Sequence, residues 1–146
     1  MTIRSDIRDA VIAALNNGTP SNVPAATKRR WIPGERLSEP IMAVFYVSED
    51  TTLQSRTAGV SQRALRLSIQ IVYLSDDIDG VDDLVEEAAA WVIEALADSN
   101  LNGLASWVQE VGTAWEAVKM ERVYMVAQVQ IDVNYQTKRS DLYAQA

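Results

Sequence analysis

Apolar residues recur at Ile3, Ile7, Ala10, Val11, Ala14 and Leu15, with Arg4, Asp6, Arg8 and Asp9 between them. A spacing of three to four predicts one amphipathic helix, and Thr2 stands where an N-cap hydroxyl is wanted. Asn16, Asn17 and Gly18 predict its end, because glycine enters the left-handed region at little cost, and Pro20 bars continuation. Thr19 to Pro40 holds all four prolines and the run Lys28-Arg29-Arg30-Trp31, and reads as a long loop. Ile41 to Ser48, β-branched and aromatic, predicts a buried strand. The polar Glu49 to Ser61 reads as a second long loop.

From Arg63 to Tyr73 the period changes to two: Leu65, Leu67, Ile69, Ile71 and Tyr73 are apolar, and Arg66, Ser68 and Gln70 take the other side. At about 3.3 Å per residue such a strand runs roughly 35 Å, longer than a small core requires, so one end is expected to project as a ribbon. Asp79 to Asp98 returns to helical spacing through Val81, Leu84, Val85, Ala88, Val92, Ala95 and Leu96. Asp79 is the expected cap, and Asp82 and Asp83 complement the positive helix end. Ser106 to Val118 and Val123 to Gln136 predict two more strands, the second with Met125, Ala127, Val129, Ile131, Val133 and Tyr135 on one face.

Two striped helices and a sheet with one apolar face predict an α+β fold, a two-layer sandwich. Two helices pack on one face of a mainly antiparallel four-stranded sheet, in the order α-β-β-α-β-β. A single domain spans residues 1–146, with long loops at 19–40 and 49–61 and a flexible tail at 137–146.

Composition narrows the chemistry. At 146 residues with 48% hydrophobic and 23% charged residues, the chain has the makeup of one globular domain. No apolar run approaches the roughly 18 residues of a membrane-spanning helix, and the first residues are amphipathic rather than a signal core, so neither membrane nor export is expected. The absence of Cys and His removes disulfides, thiolates and the usual zinc and imidazole chemistry. The net charge of −7 is uneven: Asp76 to Asp98 carries nine acids and no base, leaving the rest at +2. An acidic chain repels phosphate backbones at long range.

The candidate sites each have a plainer reading. Asp77, Asp79, Gly80, Asp83 and Glu86 fit positions three, five, six, nine and twelve of a calcium loop that begins at Ser75, but position one wants Asp and no helix precedes it. Acids at a helix start have an electrostatic reason to be there without metal. Lys28 to Trp31 combines cations with an aromatic, the two components of single-strand nucleic-acid binding, yet the run is short, and pairing with acids and packing of Trp31 explain it as well. Glu86 and Glu87 are adjacent and point about 100° apart on a helix, which suits a solvated face better than acid-base work. Trp91, Trp107 and Trp115 read as core or interface anchors. The balance predicts an interaction protein with no cofactor, and no enzyme.

The segments TIRSDIRDAVIAALNN, EPIMAVFYVSEDT, RALRLSIQIVYL, SDDIDGVDDLVEEAAAWVIEAL and VAQVQIDVNYQT together resemble the tail terminator, or tail completion, proteins of long-tailed bacteriophages. The resemblance covers most of the chain and lies in hydrophobicity and spacing, so it also reaches neighbouring neck and tail-to-head joining proteins. It implies helices on one side of a mixed or antiparallel sheet, and a virion protein assembled in the bacterial host cytoplasm. It further implies a homo-oligomeric ring, typically a hexamer, on the last tier of tail-tube protein, facing a head-completion or neck protein, with DNA passing through unbound. The loops and strand ends are expected to close the ring by heterologous contacts, with the acidic second helix facing basic loop residues. The expected subunit or tube interface comprises Lys28, Arg29, Arg30, Trp31, Arg56, Asp76 and Asp77.

Overall fold

The computed structural model describes residues 2–55, 60–76, 78–97 and 99–138. The first helix, α1 (Ile3–Leu15), occupies the residues its stripe predicts. The Thr2 hydroxyl accepts the Ser5 amide at 3.2 Å, satisfying one of the orphan donors of the first turn. Beyond the last turn Gly18 takes φ 71°, the left-handed region in which a side chain is strained.

The predicted sheet needs correction. It has five strands and mixed sense: β1 (Ala26–Thr27), β2 (Ile41–Ser55), β3 (Val60–Ser75), β4 (Trp107–Lys119) and β5 (Val123–Lys138) lie in the order β1-β2-β3-β5-β4. Chain order is therefore α-β-β-β-α-β-β, not α-β-β-α-β-β, because β1 inserts ahead of β2 and pairs with it in parallel. Only two residues long, β1 has no periodicity to read. It is held from outside by the Asn16 side chain, which accepts the Ala26 amide at 2.7 Å and donates to the Ala26 carbonyl at 3.0 Å.

The polar segment expected as a loop at 49–61 is largely strand. β2 runs to Ser55 and β3 starts at Val60, so the hairpin arms are roughly 50 Å long at 3.3 Å per residue. β5 likewise carries Thr137 and Lys138 into the sheet, where a tail was expected, and Thr137 is fully buried. The second helix, α2 (Ile78–Leu96), starts one residue ahead of the expected cap.

Both helices cover one sheet face. Ile3, Ile7, Val11 and Leu15 of α1 and Val81, Val85, Ala88 and Val92 of α2 pack on the odd-numbered residues of β3 and β5, from Leu65 to Tyr73 and Met125 to Tyr135. The opposite face is covered at one end only, by the 28–40 segment, where Trp31 packs against Val72, Tyr124 and Val126. Among the described residues no helix is long and apolar enough to cross a membrane.

An extra residue at Val47 shifts the β2–β3 register between Tyr46 and Ser48. Such a bulge reverses which face each later residue takes. Glu49 consequently lies opposite Leu65 on the helix side, where it meets Arg4 of α1.

Candidate assembly interface

The residues singled out by sequence do not form one patch. Lys28 pairs with Asp9 of α1 at 3.0 Å, Arg29 pairs with Glu35 within its own segment, and the Arg30 guanidinium lies 4.1 Å above the Phe45 ring on the far sheet face. Trp31 is 2% exposed. Its amide donates to Gln70 at 2.9 Å and its indole Nε1 to the Glu35 carbonyl at 2.9 Å, so it offers no ring face to a base. Asp76 pairs with Arg122 at 3.2 Å, while Arg56 and Asp77 lie outside the described residues. Within one chain these cations are engaged locally; the pairing of the acidic helix with basic loop residues is an expectation about neighbouring copies, on which a single chain does not bear. The calcium-loop reading meets a helix: α2 is continuous from Ile78, so Asp83 and Glu86 are successive turns of one surface rather than ligands wound around an ion. Among the described residues no three acids gather at a metal-binding distance.

A polar cluster around Glu49 has no counterpart in the sequence reading. Glu49, placed by the Val47 bulge, receives Arg4 Nε at 2.9 Å, Arg63 Nη1 at 3.0 Å and the Tyr135 hydroxyl at 2.6 Å. Arg63 also donates to Thr137 and Thr51 at 3.1 and 3.2 Å. Burial pushes the Glu49 carboxyl up, but the hydrogen bonds from Arg4, Tyr135 and Arg63 outweigh it and hold the group below the usual carboxylate range. Burial, reinforced by the bond to Glu49, pushes the Tyr135 phenol up. The carboxylate is a fixed anion whose oxygens are already occupied. It clamps α1 to the projecting end of the sheet and is badly suited to transferring protons.

The sheet edges supply the other feature. Edge strands leave a row of N–H and C=O groups without partners, and folded proteins ordinarily shorten, charge or cover them. β4 is an edge of 13 residues with no strand on its outer side among the described residues. Trp107, Val111 and Trp115 are 49%, 43% and 57% exposed along it. A bulge between Glu110 and Gly112 guards only its middle. Trp115 lies opposite Ala127 and therefore on the helix side, whereas Trp107 lies opposite Asn134 on the other face.

Because α2 sits over β3 and β5, it leaves the helix side of β4 partly open. A cleft of about 480 Å³ remains between Ile93, Leu96, Val108 and Ile131, and one of about 340 Å³ between Asp82, Glu86, Trp115 and Met125. The third tryptophan, Trp91, packs against the core and donates to the Leu15 carbonyl at 3.3 Å. The anchors expected of the three tryptophans thus divide into one at the core and two on an open edge.

On the opposite side, β1 covers β2 only at Met42 and Ala43. Beyond it Tyr46 and Val47 are 40% and 47% exposed. They border a groove of about 420 Å³ with Thr2, Arg4, Glu49 and Leu65. Arg8 lies 4.6 Å above the Tyr46 ring, its Nε buried with no hydrogen-bond partner among the described residues. Read at a period of two, Trp107, Val111 and Trp115 share one face, and it is the bulge between Glu110 and Gly112 that sends Trp107 and Trp115 to opposite faces, so the open edge has no signal in the sequence. No protein-family model matches the chain, and no characterised protein matches it in sequence.

Proposed function

We propose that this chain is a structural virion protein of the tail-terminator kind, acting by shape and contact without catalysis. Copies join side by side into a ring, six in the family it resembles. The ring caps the last tier of the tail tube, stops its growth and presents the joining surface to the head-completion or neck protein. DNA passes through it without specific binding. The observation that supports this reading is the open edge of β4, a long strand with two half-exposed tryptophans that an isolated monomer has every reason to cover.

The magnitudes suit assembly on a template. Burying the exposed halves of Trp107 and Trp115 removes about 250 Å² of apolar surface, on the order of 6 kcal/mol at about 25 cal/mol per Å². Association itself costs about 4–15 kcal/mol in lost freedom. One such junction is marginal, so the ring forms where the tube holds the copies at high local concentration.

The test is negative-stain imaging of the purified protein mixed with assembling tube protein of the same virus. Rings on one end of tubes of limited length are expected. Uncapped tubes that lengthen without limit in its presence refute the reading, and rings found only on head connectors reassign the protein to the neck.

A further inference from the structure

We infer that the mate of the β4 edge is the β2 edge of the next copy, so that the ring closes by head-to-tail sheet continuation. This rests on the ring proposed above and adds which two surfaces meet. Strand direction permits it. β2 and β5 run one way and β3 and β4 the other, so a neighbour's β2 placed beside β4 continues the antiparallel alternation across the junction.

Two-fold pairing of β4 with β4 is antiparallel as well, and charge decides between them. The β4 side carries Glu110 and Glu116 on the strand and Asp82 and Glu86 beside Trp115, against one base, Lys119, at the strand's end. None of these four acids forms an ion pair among the described residues. Two such edges face to face oppose acid to acid, which costs free energy. The β2 side carries Asp6 and Asp50 as well, but next to Val47 and the 420 Å³ groove it presents Arg8, stacked on Tyr46 and with no ion pair among the described residues. Both pads lie on the helix side of the sheet, Trp115 opposite Ala127 at one edge and Tyr46 opposite Leu67 at the other. Head-to-tail addition therefore sets the acids of α2 next to α1 of the neighbour. A heterologous contact of this kind generates a closed ring when the rotation fits, whereas β4–β4 pairing stops at a dimer.

The experiment uses two variants of exposed or half-buried positions, Trp115→Lys on the β4 side and Arg8→Glu on the β2 side, with Val47→Glu as a second β2 variant should Arg8→Glu melt early. Native mass spectrometry over a concentration series reads association, on the tube where the wild type associates only there. Each variant alone is expected to associate at least about tenfold more weakly than the wild type. Mixed one to one, they are expected to give a complex of two, joined through the single intact junction. The charge exchange Arg8→Glu with Glu86→Arg in one chain is expected to recover part of the loss. If the Arg8→Glu and Val47→Glu variants associate like the wild type while Trp115→Lys does not, the contact is β4 with β4 and the inference is overturned. It is equally overturned if the mixture stays monomeric under conditions, in solution or on the tube, in which the wild type associates. A wild type that joins no partner copy in solution or on a tube refutes the ring itself.

Discussion

Replacing Glu49 tests whether the bulge-placed carboxylate holds α1 to the projecting sheet. Alanine at this position leaves Arg4 and Arg63 without their shared anion and Tyr135 without its acceptor. Breaking one partner out of a buried ion pair costs about 3–5 kcal/mol. Arg4 is one-third exposed and regains water, and Arg63 keeps Thr51 and Thr137, so the smaller figure of about 2–3 kcal/mol applies after allowance for solvent screening. In a domain of this size that lowers Tm by roughly 5–10 °C. Glutamine keeps the shape and one acceptor but not the charge, and is expected to cost about 1–2 kcal/mol. The pH dependence carries a sign. The folded carboxyl lies below its ordinary value, so its contribution is present above the unfolded value near about 4.3 and is lost as pH falls through the lower folded value. Thermal melts followed by circular dichroism should show the full gap between wild type and Glu49→Gln at neutral pH, closing below about pH 4. Equal melting at neutral pH, or a gap unchanged down to about pH 3, refutes the clamp.

The packed tryptophan and the cap of β1 give further checks. Trp31→Ala is expected to cost about 3–5 kcal/mol in urea unfolding, and Trp31→Phe less, since the ring stays but the bond to the Glu35 carbonyl goes; no change in either would place the indole in solvent. Asn16→Ala removes both bonds to Ala26, and hydrogen exchange at the Ala26 amide should quicken by at least about tenfold, with a stability loss of about 1–3 kcal/mol. Tyr73 donates to the Asn22 carbonyl at 2.6 Å, and burial with the nearby Glu87 pushes its phenol up to about 12. Its contribution is therefore whole below the unfolded value near about 10 and lost as pH rises through the folded one. Ultraviolet titration of Tyr73→Phe should lack one late-ionising phenol, and a titration curve unchanged from wild type would contradict the burial.

What the sequence disclosed was whatever a local period can encode. α1 could be placed because its stripe, its Thr2 cap and Gly18 all lie within one stretch, and the central strands because Leu65 to Tyr73 and Met125 to Tyr135 alternate against the helices. β1 could not, since its two residues acquire a partner only when Asn16 and Met42 arrive from elsewhere in the chain. Glu49 to Ser55 is strand although its polarity predicts a loop. In the ribbon beyond the helices neither face has to be apolar, and strand pairing survives without the alternation that usually announces it. In the basic run the plainer reading, pairing with acids and packing of Trp31, is what the structure shows, although its partners could not be named in advance. Neighbours in sequence diverge in an extended segment, so Lys28, Arg29, Arg30 and Trp31 were dealt to α1, to Glu35, to Phe45 and to the second core.

Whether a tryptophan becomes core or interface is the least local question of all. Trp91 and Trp115 are the same residue with the same hydrophobicity, and what separates them is that β5 lies between β3 and β4, which leaves β4 last in the sheet and only partly covered by α2. That outcome does not reach the sequence. At a period of two Trp107, Val111 and Trp115 share one side, as in a strand that serves a core, and only the bulge between Glu110 and Gly112 sends Trp107 and Trp115 to opposite faces. Large apolar residues left half-exposed on an edge strand are costly in water, so they argue for a surface that a second chain covers. The same reasoning applies to Tyr46 and Val47, which stay exposed on the edge strand just past the end of β1, Val47 as the extra residue of the bulge. The molecule thus carries an exposed apolar edge at each end of one sheet, acids on one and, among the described residues, an arginine without an ion pair on the other, which is the complementarity the proposed head-to-tail junction uses.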